Sequence, residues 1–242
     1  MKQYFIGGVF SLIFLFWLFG KSSSVEVYSH KEEVKTTIAT TTDTSNASSS
    51  SQITVEEKKV THLKTPLDLK AIYISSWVAS TPSVREKLVQ LIDTTELNAI
   101  VIDVKDNTGV VTWNGRMEED DLSSFIEELH SKNIYVIGRI AVFQDPRYAL
   151  SHKDHAVQKQ DGSLWKSRKG EYWVDTGSKQ MWKNIVLLSE QSHAIGFDEI
   201  NLDYIRYSTE GTKDHLVFPQ SGARAINDRV RVVSEFYEYV TG

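Results

Sequence analysis

Residues 199–205 read EINLDYI, and the way these side chains divide between two faces decides the fold. Successive side chains on a strand point to opposite sides. Glu199, Asn201 and Asp203 therefore share one face, while Ile200, Leu202 and Tyr204 share the other and point toward covering helices. An interior face carrying three polar groups is costly unless they are paired or used. A barrel whose chemistry sits at the C-terminal ends of its strands supplies such an interior, and it places Asp203 nearest the mouth.

The flanking sequence extends this pattern. Residues 99–105 (AIVIDVK) and 134–143 (IYVIGRIAVF) are near-continuous apolar runs, as expected of strands covered on both faces. Residues 69–78 (LKAIYISSWV) read as the first strand, so that 199–205 is the fourth. Between the strands, apolar residues recur at helical spacing. Val84, Leu88, Leu91 and Ile92 mark a helix over 84–97, and Leu122, Phe125, Ile126 and Leu129 mark one over 121–131. A further helix is predicted over 179–194, after a long loop. The last, over 223–240, has Ile226, Val230, Val233, Tyr237 and Val240 inward.

Strands alternating with helices predict parallel βαβ units. No glycine-rich phosphate loop follows the first strand, where SSWVASTPS stands, which weighs against a nucleotide-binding doubly wound sheet. The expected fold class is α/β, the N-terminal half of a (β/α)8 TIM barrel. Four units are present where eight are needed, and residues 67–242 fall short of the roughly 250 residues of a whole barrel. An exposed sheet edge after the fourth strand is expected with it.

The rest of the chain divides by composition. In residues 1–21, Lys2 precedes an apolar run that ends before Lys21, the layout of an export signal. The run is at the lower edge of what spans a bilayer, and no A-x-A cleavage site follows it, so both a cleaved signal peptide and an uncleaved anchor remain open. Residues 22–66 contain TTIATTTDTSNASSSSQ and too few large apolar residues to fold, which predicts a disordered linker. The expected location is thus outside the cell, secreted or tethered to the membrane through the N-terminal segment. Asn46-Ala47-Ser48 matches a glycosylation sequon, a match frequent by chance in such a tract.

Composition excludes several functions. A net charge of -5 without a basic stripe argues against nucleic acid as a partner. The absence of cysteine removes disulfides, zinc–thiolate sites and thiol nucleophiles. The histidines show no metal-ligand spacing with carboxylates, so no metal or other cofactor is expected, and a metal-dependent deacetylase lacks its ligands.

Strand alternation also selects candidate site residues. It turns Tyr73, Ser75 and Trp77 inward on the first strand, Val101, Asp103 and Lys105 on the second, and Arg139 on the third. Asp103, Lys105, Arg139 and Asp203 can therefore converge at one mouth. Asp203 either acts on a glycosidic bond, chemistry that takes two flanking carboxyl groups, or pairs with Arg139 or Arg206 and holds the barrel together. Glu199, deeper in the strand, reads as structural. Trp113, Trp165 and Trp173 fall in loops after the second and third strands, where they either stack on sugar rings or cap the core.

GFDEINLDYIRY (196–207) resembles the signature GFDEIQFDYIRFP of the "putative glycosyl hydrolase domain" family of bacterial exported proteins. LNAIVIDVKDNTG (97–109), IYVIGRIAVFQDP (134–146) and WKSRKGEYWVDTGSKQMW (165–182) resemble its other motifs, in the same order. The resemblance implies a TIM-barrel glycosidase-like domain acting on a polysaccharide or oligosaccharide. It carries a catalytic role to Asp203 and substrate contacts to Asp103, Lys105, Arg139, Trp173, Asp175 and Arg206. Thr176 replaces the usual proline, Asn201 a glutamine, and Tyr207-Ser208 a Phe-Pro pair; none of these touches a charged position. The leading expectation is a glycoside hydrolase for extracellular or cell-wall polysaccharide, inactive alone because its second carboxylate belongs to a missing half. The alternative is a carbohydrate- or wall-binding barrel without catalysis.

Overall fold

The computed structural model describes residues 60–208 and 216–242. The apolar run of the export signal, the sequon and the linker up to residue 59 lie outside the described residues. Among those described, no helix is long and apolar enough to cross a membrane.

Four strands, β1 (Ala71–Ile74), β2 (Ala99–Lys105), β3 (Tyr135–Ala141) and β4 (Glu199–Asp203), form one parallel sheet in sequence order. No reversal of strand order occurs, so the sheet lacks the switch point of a doubly wound fold. Crossovers between parallel strands are right-handed, and that hand, repeated, sets α2 (Pro82–Asp93), α4 (Glu119–Ser131) and α6 (Lys179–Ile195) against one face. Ile100, Ile102 and Val104 of β2 and Ile140 of β3 are fully buried. The packing leaves no room for a side chain at Gly138, where a Cβ would lie 2.8 Å from Val104 Cγ2 and 3.0 Å from Phe197.

Local chemistry sets the helix limits. Glu119, Asp120 and Asp121 occupy the first turn of α4, where the helix dipole favours negative charge. The four apolar residues expected to face inward from α4 are all buried. The hydroxyl of Ser178 accepts from the Met181 amide at the start of α6, and Gly196 ends that helix at φ 129°, a left-handed turn that side chains resist. Pro82 starts α2 two residues ahead of the expected position, because proline suits a first helical turn.

Two elements depart from expectation. The first strand stops at Ile74, because the Ser75 hydroxyl caps a short helix, α1 (Ser76–Ala79), by accepting from the Val78 amide. Ser75 and Trp77 thus leave the strand, and Trp77 is 62% exposed. The last helix, α7 (Ile226–Thr241), buries Val232 and Phe236 and exposes Ile226, Val230 and Tyr237. Its inward face is set by Phe236, which packs edge-on against Phe143 at 5.1 Å and Trp182 at 5.6 Å. Apolar spacing alone favours the face of Ile226, Val230 and Tyr237, which the structure exposes.

Ordered packing also begins before Leu67, which is itself fully exposed. Leu63, like Val101, packs against the cluster of Ala99, Tyr135 and Ile137, closing the helix-free face of the sheet near the N-terminal ends of its strands. The Leu63 amide donates to Asp198 Oδ1 at 2.7 Å, and Thr65 shares a 2.9 Å hydrogen bond with the Tyr135 hydroxyl. Residues 60–66 therefore belong with the domain and not with the linker.

Candidate active site

The C-terminal ends of the strands carry a charged network on the helix-free face. In register, Asp103 sits opposite Arg139, and Ala141 opposite Asp203. Arg139 Nη1 donates to Asp103 Oδ1 at 2.6 Å. Its Nε and Nη2 both donate to Asp203 Oδ2, at 3.0 and 2.7 Å. The Tyr73 hydroxyl completes the chain by donating to Asp103 Oδ2 at 2.7 Å. Three of the predicted residues, Asp103, Arg139 and Asp203, are thus joined, with Tyr73 as a fourth member.

Charge explains how the members differ. One guanidinium serves two carboxylates, so Asp103 shares its counter-charge. Burial pushes the Asp103 carboxyl above its usual range, against the downward pull of its hydrogen bonds to Tyr73 and Arg139. Burial and the neighbouring carboxylate push the Tyr73 phenol up to about 12, which keeps its proton in place as a donor. Burial works against the charge on Arg139, but its hydrogen bonds to both carboxylates outweigh this and raise its pKa. The Asp103 side chain is 3% exposed and that of Asp203 is 46% exposed. Asp203 is therefore the carboxylate of this network that a solute can reach.

β4 ends at Asp203 because Tyr204 adopts φ 57°, unusual for a residue with a side chain. Its amide donates to Asp203 Oδ1 at 2.6 Å, so the turn holds the carboxylate it follows. The turn breaks the alternation that would have sent Tyr204 toward the helices. Its ring lies instead 5.6 Å from the Arg139 guanidinium and 5.5 Å from that of Arg206. Arg206 also stands 4.9 Å over the ring of Trp173. Tyr204 is the site residue that strand periodicity misses, and nothing in its immediate sequence announces a left-handed turn.

Lys105 and Asp175 are placed elsewhere. The β2–β3 register shifts after Asp103, so Lys105 pairs with Ile140 and leaves the phase of Asp103. It is fully buried, and its ammonium donates to Asp145 Oδ2 at 2.8 Å and to the Val142 carbonyl at 3.3 Å. Gly109, at φ 81°, presses on the same aspartate: a Cβ there would overlap Asp145 Oδ1. Asp106 accepts from the Thr108 and Val110 amides, so KDNTG forms a turn built around a buried ion pair. Asp175 is also fully buried, accepting from Gly177 through Oδ1 and from Gln220 and Ser221 through Oδ2. It fastens the chain ahead of α7. Trp165 and Trp173 are buried, at 4% and 1% exposure, and so are not open stacking platforms. Among the described residues, no group of three or more metal-ligating side chains is placed to hold an ion.

The family described as "Putative glycosyl hydrolase domain" matches residues 71–241. A solved structure of a hypothetical protein from Ruminiclostridium thermocellum is 26% identical, with a TM-score of 0.60 over 70% of this chain and 90% of that one. α-L-fucosidase isoenzyme 2 from Paenibacillus thiaminolyticus shares the fold at 14% identity, with a TM-score of 0.52 over 71% of this chain and 30% of the fucosidase. The chain thus spans less than a third of that enzyme's length. No curated protein matches the sequence.

Proposed function

Since the chain belongs to the "Putative glycosyl hydrolase domain" family, we propose that it forms the first four units of a (β/α) barrel that hydrolyses polysaccharide outside the cell, with Asp203 as a catalytic carboxylate. The carrying observation is the position of Asp203. It closes β4 at the C-terminal end of the sheet, reaches solvent, and is held by Arg139 and the Tyr204 amide. Catalytic groups of β/α barrels stand at this end of the strands. Arg139 orients Asp203 through two hydrogen bonds, and Asp103 and Tyr73 hold Arg139 in turn. Arg206 and Tyr204 offer a cation and a ring edge to a saccharide at the same rim. The apolar run behind Lys2 favours export.

The test is release of reducing sugar from a panel of cell-wall and extracellular polysaccharides by the complete barrel that contains these four units. Asp203→Asn should lower turnover by roughly a thousandfold while the circular dichroism spectrum and melting temperature hold. Unchanged turnover removes Asp203 from the chemistry.

A second reading rests on the burial of Asp103. Hydrolysis takes two carboxyl groups flanking the bond, and in this network only Asp203 is open to solvent. A barrel that binds saccharide without cleaving it would retain polysaccharide in pull-down assays, release no reducing ends, and lose retention on Arg206→Ala.

A further inference from the structure

A groove of about 630 Å³ lies in the long segment between β3 and α6, and no member of the Asp203 network lines it. Its walls are two short antiparallel pairings, Gln158 with Leu164 and Lys166 with Tyr172. The reversals between them turn at Gly162 and Gly170, both left-handed, at φ 79° and 82°, with open space around them. Backbone hydrogen bonds from Lys159 to Ser163 (2.8 Å), Trp165 to Val157 (2.9 Å) and Ser167 to Glu171 (2.8 Å) hold the walls. The groove is therefore formed by paired backbone and not by loose loop.

Its lining combines two chemistries. Leu150 and Tyr172 supply apolar surface, above the buried Trp165. Lys153, Lys159 and Lys166 are exposed around it, while the Asp161 carboxylate at its edge accepts from the Ser163 amide at 2.9 Å and hydroxyl at 2.6 Å. Lys166 Nζ stands 4.9 Å over the Tyr172 ring, which fixes that ammonium at the wall. With three lysines against one carboxylate at its edge, the cleft is positive on balance in a chain of net charge -5. A sugar ring offers an apolar face to aromatic and aliphatic side chains, and an acidic sugar adds an anion at its edge for lysine.

The groove also adjoins the candidate active site. Tyr172 and Trp173 are consecutive in an extended, bridged stretch, so their side chains point to opposite sides. Tyr172 faces the groove, while Trp173 lies against Tyr204 and under Arg206. One strip of backbone separates the two.

We propose that this groove is a subsite for an anionic polysaccharide, bearing carboxylate or phosphate groups, whose chain continues over the Tyr172–Trp173 strip to Asp203. The inference deepens the polysaccharide reading above and rests on it. Lysine, which pairs as a point charge, does not by itself choose between the two anions.

The test is native affinity electrophoresis of the full chain in gels containing polygalacturonate, wall teichoic acid or neutral dextran. Both anionic polymers are tried because the more retarding one identifies the anion. Retardation by at least one of them, and not by dextran, is expected. Lys153→Gln/Lys159→Gln/Lys166→Gln together should weaken it roughly tenfold. A charge-matched control, Lys64→Gln/Lys87→Gln/Lys183→Gln, alters exposed lysines elsewhere and should leave it unchanged. Equal loss in the control, retardation by dextran, or stronger competition by single-stranded DNA than by either polymer would overturn the proposal. Circular dichroism confirms that both triple variants fold. The two readings fail separately. Asp203-dependent sugar release without lysine-dependent retardation overturns the groove alone, and the converse overturns hydrolysis and leaves the groove standing.

Discussion

The two ends of the sheet each centre on a buried aspartate, and they treat it in opposite ways. At the C-terminal end, Asp103 shares one guanidinium with Asp203, and burial drives its carboxyl pKa up. At the N-terminal end, Asp198 accepts from the Leu63 and Val136 amides at 2.7 and 2.8 Å and meets His130 Nε2 at 2.9 Å. Burial pushes Asp198 up as well, but the hydrogen bonds from His130 and the two amides outweigh it and hold the carboxyl below its usual range. The difference lies in the donors. Backbone amides aimed at one carboxylate are dedicated to it and rigid, whereas a divided guanidinium leaves a net negative cluster. The first arrangement fixes a structure; the second leaves charge available at a rim.

This contrast can be broken most directly at Asp198. Asp198→Asn replaces a carboxylate oxygen with a donor facing donors, in a fully buried side chain, and should cost about 3 kcal/mol, read as a lower urea midpoint with unchanged slope. Arg139→Gln leaves two carboxylates without their cation and should cost about 2 kcal/mol by the same measurement. Asp103→Asn should cost about 1 kcal/mol, because an uncharged group already suits its environment.

The pH dependence sharpens the comparison further. A carboxyl with a lowered folded pKa contributes stability that is present above the unfolded value, about 3.9, and lost as pH falls through the folded one. The deficit of Asp198→Asn should therefore grow as pH rises through this region. A raised pKa has the opposite sign: the folded state holds the proton more tightly, and stability drops as pH rises from the unfolded value toward the folded one. The deficit of Asp103→Asn should therefore shrink as pH rises. Parallel slopes in denaturant titrations from pH 3 to 6 would end the distinction between the two ends.

The smallest effect concerns His62, which stacks on His193 with ring centroids 4.0 Å apart. Burial and the neighbouring His193 lower its pKa, against the pull of Asp198. Its contribution is thus complete above the unfolded value near 6.5 and declines as pH falls below it. His62→Phe keeps a ring for the stack and removes the titration, so it should flatten the fall in melting temperature between pH 7 and 5.5.

The centre of the sheet is legible in the sequence because β2 and β3 are long apolar runs with charged residues near their ends, and β2 has the predicted bounds. Periodicity likewise joined Asp103, Arg139 and Asp203, since register and alternation are both regular up to that point. It failed where regularity stops. The bulge after Asp103 moved Lys105 into the core, and the left-handed Tyr204 moved a ring into the site. Asp175 and Lys105 stand in motifs beside the candidate chemistry, yet their partners are backbone amides and Asp145, which no local pattern names. Periodicity selects the wrong face of α7 because the contacts of Phe236 with Phe143 and Trp182 outweigh the Ile226, Val230 and Tyr237 positions.

Residues 60–66 reach the domain at the end of the sheet where Leu63 closes the helix-free face, and Asp203 stands at the other end. The strands therefore run from the end where the chain enters the domain to the end where Asp203 stands, so a change at residues 60–66 acts on the base of the sheet and leaves the Asp203 rim untouched.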